Sequence, residues 1–160
     1  MKLIIVALSL LIVSQSCVNR ADVIAKGMEW VKDKIPYSQT SYHEGYRTDC
    51  SGLASCMWRL PKPGYTTWEF ESNKVCAKTT KDRLEKGDFI LAPHHHVGIF
   101  DGWVDSSKTH YWLIEEGGTN VGTVRRQQLY PYGNTTEYYP CKVLIACPTS
   151  TEEENIKTYE

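Results

Sequence analysis

Hydrophobic and polar positions divide the chain into stretches of different period. The first, Leu3 to Val13, is mostly apolar, behind the basic Lys2 and ahead of Ser14-Gln15-Ser16-Cys17. Wound as a helix it would span about 16 Å, half a bilayer, so the pattern predicts a secretory signal peptide over 1–16. From Asn19 to Ile35, the residues Val23, Ile24, Met28, Val31 and Ile35 fall near helical spacing, and Pro36 ends the pattern. Residues 37–48 are polar and read as a loop. A second helix is expected from Asp49 to Leu60: Asp49 can cap it, Leu53, Met57 and Leu60 share a face, and Pro61 stops it. Residues 61–80 mix Pro, Gly and aromatic residues without a period, which predicts a long surface excursion. From Gly87 onward the pattern is that of strands, at 88–92, 96–101, 110–116, 122–128 and 138–147, with Gly, Asp, Ser and Pro in the short gaps. That spacing predicts an antiparallel meander of about five strands. Helices first and strands after define an α+β domain over 17–148, with the helices on one face of the sheet. Residues 149–160 hold four glutamates and one lysine and read as a solvated acidic tail.

Composition narrows the partners. At 41% hydrophobic and 160 residues, the chain can bury the core of one domain. A formal charge of −1 argues against a nucleic-acid binder, and the body lacks an apolar run of the ~18 residues that membrane insertion needs. A monomer is expected.

A secreted chain meets an oxidising environment, so its six cysteines (17, 50, 56, 76, 141 and 147) invite a disulfide reading. If Cys17 leaves with the signal segment, five remain and one is unpaired; if it stays, all six can pair. A free Cys50 fits its distinctive local sequence and leaves four others for two bridges. Cys141 and Cys147, about 20 Å apart if on one strand, cannot bond each other. Each would reach elsewhere, with Cys56 and Cys76 as candidate partners, and the sequence leaves the pairing open. Asn134-Thr135-Thr136 is a glycosylation sequon beside a glycine, hence expected on a surface turn in a eukaryotic chain.

The segment Tyr46-Arg47-Thr48-Asp49-Cys50-Ser51-Gly52 sets a cysteine at the start of the second helix. Free N–H groups and the positive end of the helix dipole stabilise a thiolate there, and the same N–H groups can hold an oxyanion. A disulfide cysteine that happens to open a helix is the plainer alternative. A nucleophile needs a base and the base an orienting group. His94-His95-His96 leads into the strand Val97-Gly98-Ile99-Phe100, and the next strand ends in Glu115-Glu116, either of which can hold an imidazole. His94 and His96 share a strand face, but no Asp, Glu or Cys stands at ligand spacing, so no metal or other cofactor is expected. Tyr65, Trp68 and Phe70 are candidates for the wall of a substrate cleft.

Taken as a set, Pro36-Tyr37-Ser38-Gln39, Arg47-Thr48-Asp49-Cys50-Ser51-Gly52, Gly87-Asp88, His96-Val97-Gly98-Ile99-Phe100 and the strand reaching Glu115 resemble the NlpC/P60 superfamily of papain-like cysteine peptidases and amidases. The resemblance covers about residues 20–146. It implies a helix carrying the nucleophile against a sheet carrying the base, and cleavage of bacterial cell-wall peptides. Cys50 matches the nucleophile, His96 the base and Glu115 the third member, often His in the family, with Glu116 as the fallback. Tyr37 matches a residue lining the oxyanion site, and Asp49 and Ser51 match substrate-side positions. A small secreted chain of this kind is similar to the amidase effectors of type VI secretion and to their domesticated secreted homologues in ticks. The implied protein is an extracellular antibacterial peptidoglycan hydrolase. A secreted module that binds peptidoglycan without cutting it, a disulfide-stapled interaction protein and an acyltransferase using the same acyl-enzyme are the competing readings.

Overall fold

Asn19 starts the first helix by accepting a hydrogen bond from the Ala21 N–H at 2.8 Å. The computed structural model, which describes residues 17–135 and 137–148, places α1 at Arg20–Asp33. The expected signal peptide, the acidic tail and the sequon's Thr136, with the Asn134 side chain, lie outside the described residues. Lys34, at φ 51°, closes α1 by donating to the carbonyls of Trp30 and Val31. Val23, Gly27 and Trp30 face inward, and Gly27 admits the tip of Met57 to within 2.5 Å of where a Cβ would stand.

Residues 37–48, expected as a loop, instead form a hairpin of β1 (Ser38–His43) and β2 (Tyr46–Thr48), turned at Glu44-Gly45, both at positive φ. The four central residues of β1 are exposed, so no alternation of polar and apolar positions marked it. Helix α2 (Cys50–Met57) is buried at every position after the first, as befits a helix enclosed by other elements. It ends three residues earlier than expected, where Arg59 at φ 54° turns the chain. The excursion 61–80 is not structureless: it contains the one-turn α3 (Glu69–Ser72) and strand β3 (Cys76–Lys78). Phe70 pins that turn to Phe89 with ring centroids 4.8 Å apart.

The sheet has six strands rather than five. After β3 come β4 (Phe89–Ala92), β5 (His96–Trp103), β6 (His110–Glu116), β7 (Thr123–Leu129) and β8 (Tyr139–Val143), in the antiparallel order β3-β8-β4-β5-β6-β7. The meander holds from β4 to β7; β8 then crosses back to pair with β4 and β3. Asp88 explains part of that return. Fully buried, it accepts from the N–H groups of Val143 and Glu85 and from Arg20, so one carboxylate ties β8, the approach to β4 and α1 together. Burial pushes the Asp88 carboxyl pKa up, against the pull of Arg20 and the two amides. Gly87, beside it at φ 92°, gives its carbonyl to the Trp58 indole N–H at 2.9 Å, and a Cβ there would stand 2.9 Å from that ring. The Gly-Asp pair is thus a structural joint.

Helices α1 and α2 cover one sheet face through Trp30, Leu53, Met57, Phe89, Val97 and Ile114, while Ile90, Phe100, Tyr111 and Leu113 form a smaller core on the other. Cys76 bonds Cys141 across the β3–β8 pair, and Cys17 bonds Cys147. This corrects the expectation that Cys56 would supply a bridge. Cys17 belongs to the folded domain, and Cys50 and Cys56 are free thiols. Among the described residues no helix is long and apolar enough to cross a membrane.

Candidate active site

The N-terminus of α2 is held by an interlocked set of polar contacts. Asp49 accepts from the Gly52 N–H at 2.6 Å and the Ser51 hydroxyl at 2.9 Å through one oxygen, and from Arg47 at 2.9 Å through the other. Arg47 also donates to the carbonyls of Gly64 and Tyr65, at 2.9 and 2.8 Å, fastening the 61–65 loop beneath the helix. The Arg47 carbonyl lies 1.9 Å from where a Cβ on Gly52 would be, so only glycine fits. Asp49 and Ser51, matched to substrate-side positions by resemblance, are buried and committed to this cap. Cys50, the first residue of α2, is left half-buried with its sulfur free.

His96 opens β5 and faces that sulfur. Its Nε2 lies 2.7 Å from the buried Glu115 carboxylate on β6, and the ring is close enough to Cys50 for the two to interact. Burial works against the imidazolium, but the contacts with Cys50 and Glu115 outweigh it and raise the His96 pKa from the ordinary 6.5 to about 9. For Glu115, burial favours the neutral acid, yet His96 and Arg126 more than compensate and hold its pKa below the usual carboxylate value. Arg126 on β7 reaches the far oxygen at 2.7 Å, and the Tyr132 hydroxyl donates to the near one at 3.0 Å. The rings of Tyr132 and Tyr138 stack at 4.4 Å and flank His96 at centroid distances of 5.4 and 6.4 Å.

The adjacent Glu116 is in a different world. Strand alternation turns Glu115 to the side of Leu113 and Tyr111, and Glu116 to the helix-covered side with Ile114. There Glu116 accepts from the Thr123 hydroxyl, and its other oxygen is buried without a hydrogen-bond partner. Burial, with the charges of Asp49 and Glu115, pushes its pKa from 4.5 to about 7 despite that hydroxyl. Glu115, rather than Glu116, is thus the carboxylate at His96. Tyr37 lies near Cys50: burial first, then the proximity of Cys50 and the carboxylates, raises its phenol pKa.

Of the three aromatic residues assigned to a cleft wall, only Trp68 is well exposed. Phe70 is fully buried, because α3 turns it onto Phe89, and Tyr65 packs against the core while its amide donates to Ser55. Sequence reasoning gave no role to Arg47, although the motif contains it, and missed Arg126, Tyr132 and Tyr138. Arg126 stands in the run Thr-Val-Arg-Arg-Gln-Gln, whose two arginines facing a strand with two glutamates were the one available hint. Tyr132 opens a short 3-10 turn (Tyr132–Asn134) and Tyr138 stands just before β8, and neither carries a periodic signal. Among the described residues, no group of three or more His, Cys, Asp or Glu side chains is arranged to hold a metal ion.

A cysteine at a helix N-terminus, set against a histidine and a carboxylate on neighbouring antiparallel strands, defines the papain-like class of architecture. Within it, the chain has the NlpC/P60 fold. It superposes on an NlpC/P60 family protein from Bacillus cereus with a TM-score of 0.58 at 19% identity, over 82% of this chain and 43% of that one. The P60 domain of a Mycobacterium avium subspecies paratuberculosis antigen gives 0.57 at 14%, over 80% of this chain and 96% of that domain. The peptidoglycan hydrolase RipB of Mycobacterium tuberculosis gives 0.55 at 15%, over 81% and 65%. The chain therefore spans less than half of the Bacillus protein but nearly all of an isolated P60 domain. No family model and no curated protein matches the sequence.

Proposed function

We propose that this protein is a secreted cysteine amidase or endopeptidase that cleaves the stem peptides of bacterial peptidoglycan. The alignment of Cys50, His96 and Glu115 at the N-terminus of α2 carries the reading. The likeness to a peptidoglycan hydrolase of the same fold supports the substrate class. Two disulfides accord with an oxidising, extracellular setting, and an antibacterial role follows from such a substrate.

His96 is the base that takes the proton of the Cys50 thiol. The Cys50 sulfur attacks the carbonyl carbon of a wall amide, and the carbonyl oxygen becomes an oxyanion held by free N–H groups at the α2 N-terminus, with Tyr37 beside them. His96 gives its proton to the amine nitrogen as the C–N bond breaks, leaving a thioester on Cys50. Water, deprotonated by His96, then attacks the thioester, releasing the acid and restoring Cys50. Glu115 orients the imidazole and offsets its charge, and Arg126 and Tyr132 keep Glu115 ionised and in place. The bond cut is the cross-link between stems or the D-glutamate–diamino acid bond.

Digestion of purified sacculi, with products identified by liquid chromatography and mass spectrometry, tests the proposal. Loss of cross-linked muropeptides or trimming of stems is expected with the wild type and not with Cys50→Ala. Unchanged lysine-type and diaminopimelate-type sacculi after wild-type treatment would overturn it in favour of a binding module.

A further inference from the structure

Trp68 is 51% exposed, though it is the side chain with most to gain from burial. Its indole stacks on the exposed imidazole of His94, with the planes 13° apart and the centroids offset at 6.3 Å. Both rings are fixed from below. Trp68 lies next to the buried Thr67 and one residue before α3, which Phe70 pins to Phe89. His94, at φ 65°, sits in the β4–β5 turn that the His95 amide closes on the Ala92 carbonyl at 3.0 Å. The pair borders the Cys50–His96 site: His94 is two residues before His96, and Trp68 follows the loop whose carbonyls at Gly64 and Tyr65 hold Arg47 under α2.

A rigid, flat, apolar surface beside a polar site selects by shape. Stem peptides are built from alanine, glutamate and a diamino acid, and none of these presents a broad flat face to an indole. The N-acetylhexosamine ring does: its axial C–H bonds line one face, and the acetamide adds a methyl group. Edge C–H groups of this kind favour the electron-rich face of an aromatic ring. His94 adds a ring nitrogen able to hydrogen-bond a sugar hydroxyl or the acetamide.

We propose that the stacked Trp68–His94 pair is a glycan subsite, which seats an N-acetylhexosamine ring of the wall strand while the attached stem enters the Cys50–His96 cleft. The inference rests on the peptidoglycan reading of that cleft. It makes the enzyme prefer stems still joined to their sugar.

The test has two arms. In the first, kcat/KM is measured on a sugar-bearing muropeptide and on the same peptide freed of sugar, for wild type, Trp68→Ala, Trp68→Phe and His94→Ala. The ratio of the two values is expected to fall about tenfold in Trp68→Ala through KM, to fall less in His94→Ala, and to be largely kept in Trp68→Phe. An unchanged ratio overturns the subsite. In the second arm, N-acetylglucosaminyl-N-acetylmuramic acid without peptide is titrated into full-length Cys50→Ala protein, and the indole N–H resonance of Trp68 is followed by NMR. A shift of that resonance supports the subsite. No shift, or a preference for chitobiose over the muramyl disaccharide, overturns the assignment to wall glycan. If the wild type cleaves neither substrate, the hydrolase reading fails, and the second arm still decides the sugar site.

Discussion

Two adjacent glutamates illustrate how environment, rather than residue type, sets chemistry. Glu115 is ionised because His96, Arg126 and Tyr132 surround it; Glu116, one step along the strand, is buried with one hydroxyl donor and the nearby charge of Asp49. The pH dependence of activity follows from the first. In the proposed mechanism His96, with a pKa of about 9, supplies the proton of the leaving amine, so kcat/KM should decline as pH rises through about 9. Glu115→Gln should move that limb to lower pH and cut kcat about 10²-fold or more, as other losses of an orienting carboxylate do. An alkaline limb unmoved in that variant would show that Glu115 does not act through His96. Stability follows from the second. The neutral form of Glu116 is favoured in the fold, so its contribution is fully present below 4.5 and is lost as pH rises through about 7. The loss is on the order of 3 kcal/mol. Glu116→Gln should therefore melt above the wild type at pH 8, with the gap closing by about pH 5; an equal gap at both pH values would sink this account. His96 tends the same way at higher pH: its charged form contributes stability below 6.5 that is lost through about 9.

At the scale of elements, the N-terminus of α2 matters most. Cys50 can be placed only if the turn before it is tight, and Gly52 makes that possible by letting the Arg47 carbonyl approach the helix. Gly52→Ala would force backbone apart there, so a loss of activity far exceeding the loss of stability is expected, measured as kcat alongside Tm. Asp49→Ala removes a cap and the Arg47 partner together, at about 1–2 kcal/mol for the cap alone, and should raise protease cleavage in the 61–65 loop. The Asp-Cys-Ser-Gly run was readable because it joins three local features: a cap, a cysteine at a helix start and a residue without a Cβ. The hairpin β1–β2 was not readable, since a strand exposed along its middle needs no apolar period. Strand β3 was missed for its length of three residues, too short for a period to show.

Over the whole molecule, one disulfide joins residues near the two ends of the described chain, and the other, with a returning strand, joins its C-terminal part to its middle. Cys17 and Cys147 are 130 positions apart in sequence, so opening that bridge with Cys17→Ser should cost about 2–5 kcal/mol, seen as a lower denaturant midpoint. The two free thiols should behave differently. Burial, reinforced by the charge of Glu44, pushes the Cys56 thiol up to about 12, whereas Cys50 is half-buried at an open site. Alkylation of the native, unreduced protein should label Cys50 alone, and denaturation without reductant should add Cys56. Equal labelling of both in the native state would contradict this packing.

Local requirements are written locally, so the sequence by itself determined the helix boundaries near Asn19 and Asp49, four of the five expected strands closely, and Cys50, His96 and the glutamate pair as candidates for the site. Turn residues, caps and alternation act over a few neighbours and leave their mark there. Only the tertiary structure decided which glutamate meets His96, that Arg126 and Tyr132 stand behind it, and that Cys17 rather than Cys56 bonds Cys147. Those choices depend on strand order and on chain segments far apart in sequence. The crossing of β8 to pair with β4, fixed by a buried Asp88, leaves no periodic trace in either segment it joins.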